Sequence, residues 1–298
     1  MQPKSVVLTL ETPIPAPHIC ENQCMKWLSY SLFWLFSIHE AHSQSFISAM
    51  ADRYQYASVC LDGNAGGKIT GRHPALKDPV SLMAAVYGEN SLVPGGKKYF
   101  SVQGLLPVAA GSFNVQADYG GAGDLTEMQA GIGYSRSLSP AIQIGARFNY
   151  YQLRITGYGS SFALPAECGV VFQLMPKLRT SLHIYNLMAA KPNKDGLSRI
   201  PTVVRFGTGY TIAESVGIVM EIIKEFGQPV SFQPVLFYQA QEKLFFRGGL
   251  ATGTRSVFVS GGYQSGRMRV DLSTAYQGIL GWTAGLGVQF LGDEKKSQ

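Results

Sequence analysis

The sequence predicts an all-β fold, a transmembrane antiparallel β-barrel of about 14 strands with a short N-terminal plug or periplasmic segment. Charged residues are only 15% of the 298-residue chain, against about 25% in typical soluble domains. Glycine (34), tyrosine (15) and phenylalanine (16) are abundant, although a glycine-rich soluble β protein would share this composition. From residue 79 onward the chain divides into segments of about ten residues, the length that crosses a bilayer as a tilted strand.

Alternation of apolar and polar side chains carries the strand prediction. In AIQIGARFNYY (141–151), Ile144 and Phe148 fall on one parity, whereas Arg147 and Asn149 fall on the other. Successive strand residues point to opposite faces. A soluble sandwich would turn the apolar face inward, and a membrane barrel would turn it toward lipid and line a lumen with the polar face.

Fourteen strand segments are predicted, joined by turns of unequal length. The segments are 79–88, 97–108, 111–121, 125–138, 141–155, 162–174, 177–187, 200–212, 215–227, 229–241, 243–252, 255–264, 267–277 and 281–291. Short turns such as 109–110 alternate with longer connections such as 89–96 and 188–199, although the difference fades after residue 213. Short turns on one rim and longer loops on the other are typical of outer-membrane barrels.

The N-terminal region is interpreted as three parts of different kind. Residues 1–43 are read as a leader plus signal peptide that starts at Met25, because the apolar run 27–38 precedes small residues at a cleavage-site spacing. A buried N-terminal helix is the alternative. Residues 44–78 lack alternation, with a strand expected only at about 56–61, and are predicted to form a luminal plug or a periplasmic segment. The barrel is expected over 79–292, followed by a polar tail over 293–298.

The charge distribution indicates which classes of partner the protein would bind. The formal net charge is +6, but the basic residues are scattered singly along strands and loops rather than gathered on one helix or stripe. This distribution argues against a nucleic-acid partner. It favours outer-membrane lipid and lipopolysaccharide as partners, and the predicted barrel indicates the cell outer membrane as the location.

The sequence offers no catalytic, cofactor-binding or metal-binding constellation, so no enzyme and no cofactor are expected. The glycine pairs at 131–133 and 207–209 lack the third glycine of a nucleotide fingerprint. His183 has no acid or cysteine near it in sequence and is interpreted as a hydrogen-bonded strand histidine. Glu221 is interpreted as part of an ordinary polar patch. Cys60 and Cys168 are compatible with a disulfide and equally with two free thiols.

Polar residues on the inward parity are candidates for lining a lumen, where charge pairs would fill and rigidify the barrel. The candidates are Glu127, Gln129, Gln143, Arg147, Asn149, Arg269 and Asp271, with Asp118, Arg136 and Arg154 as further ones.

Several stretches resemble the PorV/PorQ-type outer-membrane proteins, which are related to FadL-type barrels. They are ASVCLDGN (57–64), HPALKDP (73–79), IQIGARFNYYQLRITGYG (142–159), LHIYNLMAAK (182–191) and IPTVVRFGTGY (200–210). The resemblance covers most of 44–292 and implies a fourteen-stranded outer-membrane barrel. It also implies that His73, Pro74 and Ala75 correspond to the family's Asn-Pro-Ala-Gly-Leu plug motif, although His73 stands where the family has asparagine and the glycine is missing.

The resemblance implies two functions, and the residues leave a third open. The first is a non-enzymatic role in protein export or surface attachment, like type IX secretion-associated barrels, with secretion machinery or a cargo protein as partner. The alternative is FadL-like passive transport of a hydrophobic small molecule. The second alternative is a soluble exported β-rich binding protein. An apolar pocket beside a gap in the wall would favour transport, and a filled lumen would favour export.

Overall fold

The computed structural model describes residues 57–61, 72–76, 82–191, 200–241, 243–278 and 281–292. The predicted leader, signal peptide and polar tail, and most of the 44–78 segment, lie outside the described residues. Within the described ranges no helix is long and apolar enough to cross a membrane.

Fifteen β-strands make up nearly all of the described chain. They are β1 (Met83–Ser91), β2 (Lys98–Val108), β3 (Gly111–Ala122), β4 (Leu125–Ser139), β5 (Ile142–Ile155), β6 (Gly159–Ala163), β7 (Ala166–Met175), β8 (Leu178–Tyr185), β9 (Val203–Ala213), β10 (Val216–Glu225), β11 (Val230–Gln241), β12 (Leu244–Ala251), β13 (Ser256–Ser265), β14 (Met268–Gln277) and β15 (Gly281–Leu291). A 3-10 helix, Ala57–Cys60, stands where the sequence predicted a strand.

The strands close into an antiparallel barrel. Strands that are neighbours in sequence pair with each other, except that β7 pairs with β5 instead of β6, and β15 returns to pair with β1, with Leu291 opposite Met83. The barrel has fourteen strand positions, because β6 and β7 both pair with β5 and share one position. The predicted barrel of about 14 strands is therefore confirmed.

The sixth strand position is interrupted, whereas one strand was predicted over 162–174. Pro165 between β6 and β7 has no N–H to donate to a ladder, although its carbonyl oxygen still accepts from the backbone N–H of Asn149 at 3.0 Å. In the described part of the chain β6 adjoins β5 on one side and no strand of the sheet on the other. One edge of β6 is thus unpaired among the described strands.

The barrel is apolar outside and polar inside. On β5, Phe148 is 67% exposed, whereas its neighbours Arg147 and Asn149 are 3% and 2% exposed. The same division holds on β15, where Trp282 and Phe290 face outward and Thr283 and Gln289 are buried. A soluble sandwich would show the reverse, so this arrangement excludes the soluble binding protein.

Candidate functional site: the occupied lumen

Two short pieces of the N-terminal region lie inside the barrel. We call residues 57–61 the apolar segment and residues 72–76 the charged segment. Both contact the inner wall closely at glycines: a Cβ added at Gly209 would lie 2.1 Å from the carbonyl oxygen of Cys60, and one added at Gly145 would lie 2.1 Å from that of Pro74. Any larger residue at these two positions would displace the segment.

The charged segment is held first by an ion pair between Arg72 and Asp118 on β3. The Arg72 guanidinium donates to both carboxylate oxygens, at 2.8 and 2.9 Å. Asp118 also accepts from Tyr99 on β2 at 2.8 Å and from Gln116. The side chains of Arg72 and Asp118 are buried. The positive charge of the segment is therefore paired with a wall carboxylate that also accepts hydrogen bonds from other wall side chains.

A second network continues across the wall on the other side of the segment. Arg147 on β5 donates to the backbone oxygen of Arg72, and its Nε donates to Glu167 on β7 at 2.5 Å. The other oxygen of Glu167 lies 2.7 Å from His183 Nε2 on β8, and Asn149 donates to Glu167 at 2.9 Å. Three strands of the wall thereby contribute to one buried hydrogen-bonded group.

His73 lies against this second network. Its ring centroid is 5.6 Å from that of His183, and a Cβ added at Gly169 would come within 2.5 Å of its Cε1. Burial, and next the positive potential of His183, hold the pKa of His73 well below its ordinary value of 6.5. His73 is therefore neutral in the docked segment at neutral pH.

The apolar segment docks in a different way. Ala57, Val59, Cys60 and Leu61 are buried in one hydrophobic cluster, to which the charged segment adds Ala75. The wall residues of this cluster are Val171, Val219, Val235, Phe237, Phe258 and Ala275. The Cys60 Sγ lies 3.0 Å from Ser181 Oγ, and burial raises the pKa of this thiol to about 12. Cys60 is thus a protonated packing residue.

A third polar group lies on the wall strands β12 and β14. Asp271 accepts from Arg247 at 2.7 Å and from Arg269 at 3.0 Å. The Arg269 guanidinium also lies over the Phe245 ring, 4.2 Å from its centroid. These contacts fill part of the lumen with wall side chains alone.

An apolar patch lines the inner wall toward the end of the barrel where β6 lies. Tyr151, Leu153, Ala163 and Ile200 are buried together there, and Leu125, Ile155, Tyr185 and Ala190 pack against them. Tyr185 donates to Gln129 at 2.7 Å, on the inner wall. We call this group the apolar chamber. It adjoins the interruption at Pro165.

Two small cavities lie among the described residues. They hold about 10 Å³ each, which is the room of about one water molecule. One is lined by His73, Gln103, Asn114 and Arg147 at the charged segment, and the other by Tyr87, Glu89, Ser273 and Thr283. Neither has room for a hydrocarbon solute.

The structure distributes the predicted lumen residues over several groups. Arg147 and Asn149 meet at Glu167, Arg269 and Asp271 meet each other, and Gln129 reaches the apolar chamber. Glu127 is buried on the inner side of β4, and Gln143 is half-buried near the start of β5. His73, Pro74 and Ala75 are buried in the charged segment.

Two expectations from the sequence are wrong, and one alternative that the sequence left open is decided. Arg136 on β4 and Arg154 on β5 are exposed. Each has the same parity as the outward-facing apolar residues of its strand, so its side chain points outward. Cys60 and Cys168 are free thiols, since Cys60 lies in the lumen while Cys168 shares the outward parity of Phe172 on β7. Glu221 is buried inside the wall, where it accepts from Gln233 at 3.4 Å, and is not a surface patch.

Three residues of these networks were not predicted: Arg72, Arg247 and Glu167, the partner of His183. His183 has no acid nearby in sequence, but the β7–β8 pairing sets it opposite Gly169, two residues from Glu167. The signal available in the sequence was that Glu167 and His183 each have the inward-facing parity of their predicted strands. The pairing register that joins them was not visible in either strand alone.

Comparison with known proteins gives similarity at the level of the fold. No protein-family model matches the chain, and a search of curated proteins finds no match. The Pseudomonas putida toluene transporter TodX is similar, with a TM-score of 0.56 and 10% identity over 80% of this chain and 98% of that one. The Ralstonia pickettii toluene transporter TbuX gives 0.54 and 10% over 80% and 94%. The CymD monoaromatic hydrocarbon channel gives 0.53 and 10% over 86% and 94%.

The class of the protein follows from its architecture. A closed antiparallel barrel satisfies all its backbone groups without a free edge, and an apolar exterior around a polar interior is what lipid requires. This chain is an outer-membrane β-barrel. Its lumen holds two pieces of its own N-terminal region.

Proposed function

We propose that the protein is a passive, non-enzymatic outer-membrane channel for small hydrophobic compounds, with its N-terminal region as a luminal plug. The apolar chamber beside the interruption at Pro165 is the observation that carries this proposal. A hydrophobic solute gains free energy by leaving water for such a surface, at about 25 cal/mol for each Å² of apolar area buried. The side chains of this group pack against one another, so such a solute would enter at the loop end of the barrel by parting them.

The surroundings of the chamber support the same function. Phe162, Leu164 and Met188 are exposed on the outer surface near the interruption, so apolar side chains stand on both sides of the wall there. The transporters to which the fold is similar are named for toluene and for monoaromatic hydrocarbons. That similarity supports the fold. The proposal of a hydrophobic solute for this chain rests on the apolar chamber.

Uptake of radiolabelled toluene tests the proposal. Cells with a lipopolysaccharide outer membrane, with and without this protein, would be compared for initial uptake rate. Leu153→Gln places an amide in the chamber and is expected to reduce the protein-dependent rate roughly tenfold, because burying an unpaired amide costs on the order of 1–3 kcal/mol. Leu105→Gln is the matched control, since Leu105 is buried on the inner wall in a different cluster. Equal uptake with and without the protein would refute the proposal.

A second function, in protein export or surface attachment, is favoured by the plug pieces and the ion-pair networks that occupy the lumen. A barrel whose interior is occupied by ion pairs and by cavities of about one water has a rigid wall on which a partner can assemble. The resemblance to PorV/PorQ-type proteins suggests the kind of partner, namely secretion machinery or cargo. Crosslinking and pull-down from the outer-membrane fraction would test it. Recovery of lipopolysaccharide alone, with no protein partner, would count against this function.

A further inference from the structure

The described residues include two histidines, and these two face each other across the joint between plug and wall. His73 belongs to the charged segment and His183 to β8, both buried, with ring centroids 5.6 Å apart. Ionisable groups surround them on every side: Arg72 on the segment itself, Asp118 on β3, Arg147 on β5, Glu167 on β7 and Arg205 on β9, opposite His183.

While both imidazoles are neutral, the two ion pairs at this joint are each balanced, and Arg205 already adds a positive charge opposite His183. Arg72 is paired with Asp118, and Arg147 with Glu167. A proton on His73 would add an uncompensated positive charge beside His183 and Arg147 in a buried space, where charge is costly. The adjoining cavity has room for about one water molecule, which is too little to solvate it.

We propose that the His73–His183 pair is a pH-sensitive latch: mild acid releases the charged segment from the wall while the apolar segment stays docked. The plug therefore has one conditional and one permanent attachment. The release regulates the proposed channel and rests on the proposed function for its consequence, but the movement itself does not depend on what the channel carries.

The direction follows from proton linkage. In the docked state the pKa of His73 lies well below 6.5, whereas a released, solvated imidazole titrates near 6.5. The released state thus binds more protons, and lowering the pH favours it. Docking is unaffected by pH above about 7.5 and weakens as pH falls through about 6.5, by up to about tenfold in the docking equilibrium for each pH unit and each histidine.

The carboxylates that hold the charged segment, Asp118 and Glu167, are both ion-paired, and histidine is the side chain whose ordinary pKa falls between pH 5 and 8. The buried carboxyl of Glu221 faces the apolar segment instead, beside Cys60. The apolar segment contains no histidine and no charged residue. A response between pH 7.5 and 5 that is confined to the charged segment is therefore attributed to the two histidines.

A nitroxide on Leu76→Cys, in a cysteine-free background of the full chain in detergent, reports the movement by electron paramagnetic resonance. Leu76 is half-buried at the end of the charged segment. The mobile fraction is expected to rise at least about tenfold between pH 7.5 and 5. A second label on Ser58→Cys in the apolar segment is expected to keep its spectrum. His73→Gln with His183→Gln, which keep neutral polar side chains, should abolish the pH response of the Leu76 label.

Several results would overturn the latch. They are an unchanged Leu76 spectrum at pH 5, a pH response that persists in the double glutamine variant, and a simultaneous response of both labels, since the last would mean that the whole barrel loosens. If the double variant does not fold, the Leu76 and Ser58 labels in the protein that keeps both histidines still distinguish local release from no release. A mobile Leu76 label in a protein that takes up no toluene would support the latch and refute the channel.

Discussion

The two segments inside the barrel occupy the same lumen by opposite means. The apolar segment fits against glycines of β9 and β10 and buries its side chains in a hydrophobic cluster. The charged segment brings Arg72 to a buried carboxylate and its backbone to Arg147. One attachment depends mainly on shape, and the other on a balance of charges.

The difference matters because the two kinds of contact respond to conditions differently. Burial of apolar surface is nearly indifferent to pH and salt. A buried ion pair gives little net stability, since desolvation offsets attraction, yet removing one partner is very costly. The charged segment can therefore be released by a change of a single proton or side chain, whereas the apolar segment responds to volume.

The largest expected effect comes from Arg72→Met. It leaves Asp118 buried without its cation, which is expected to weaken docking of the charged segment by about 3–5 kcal/mol. Hydrogen exchange of the Leu76 amide measures it, because that N–H donates to the His73 carbonyl oxygen at 3.1 Å in the docked segment.

The control removes both charges together. Arg72→Met with Asp118→Leu is expected to recover most of the lost protection, since replacing a whole buried pair by apolar residues is often near neutral. Equal loss in the single and double variants would show that the charge balance does not hold this segment.

The next effect comes from the wall glycines, which should separate the segments. Gly209→Ala is expected to weaken the apolar segment, and Gly145→Ala the charged segment, by about 1–3 kcal/mol each, because the new methyl overlaps a backbone oxygen. Exchange of the Leu61 amide, which donates to Ser58 at 3.2 Å, and of the Leu76 amide would report each segment.

Gly248→Ala is the matched control for both glycine variants. Its added Cβ would have its nearest neighbour at 3.7 Å, an ordinary contact, so a change below about 0.5 kcal/mol is expected. If Gly209→Ala released both segments equally, they would dock as one unit and the distinction between them would fail.

The strands of the barrel wall were far more predictable from sequence than the contacts inside the lumen. The alternation on β5 placed Phe148 outside and Arg147 and Asn149 inside, because side-chain period fixes the face of a strand. The strand boundaries followed from the same pattern. The break at Pro165 was missed because the segment still alternates on either side of it.

The contacts within the lumen were not predictable because they depend on register between strands and on a segment without periodicity. Glu167 meets His183 only through the β7–β8 pairing. Arg72 meets Asp118 across 46 residues, and nothing in the local sequence of either residue indicates the other. Glycines such as Gly145 and Gly209 fitted the small inward face, but their role as contact points appears only once the segments lie against them.

The smallest expected effect is that of Cys60→Ser. The substitution replaces the thiol by a hydroxyl that can also hydrogen-bond Ser181, and because burial raises the pKa of the thiol to about 12, no charge is lost with the sulfur. We therefore expect a change within about 1 kcal/mol in exchange of the Leu61 amide. A loss larger than that of Gly209→Ala would mean that the Cys60 side chain, rather than the fit of the backbone against the wall glycine, holds the apolar segment. Docking by shape would then be the wrong description of this half of the plug.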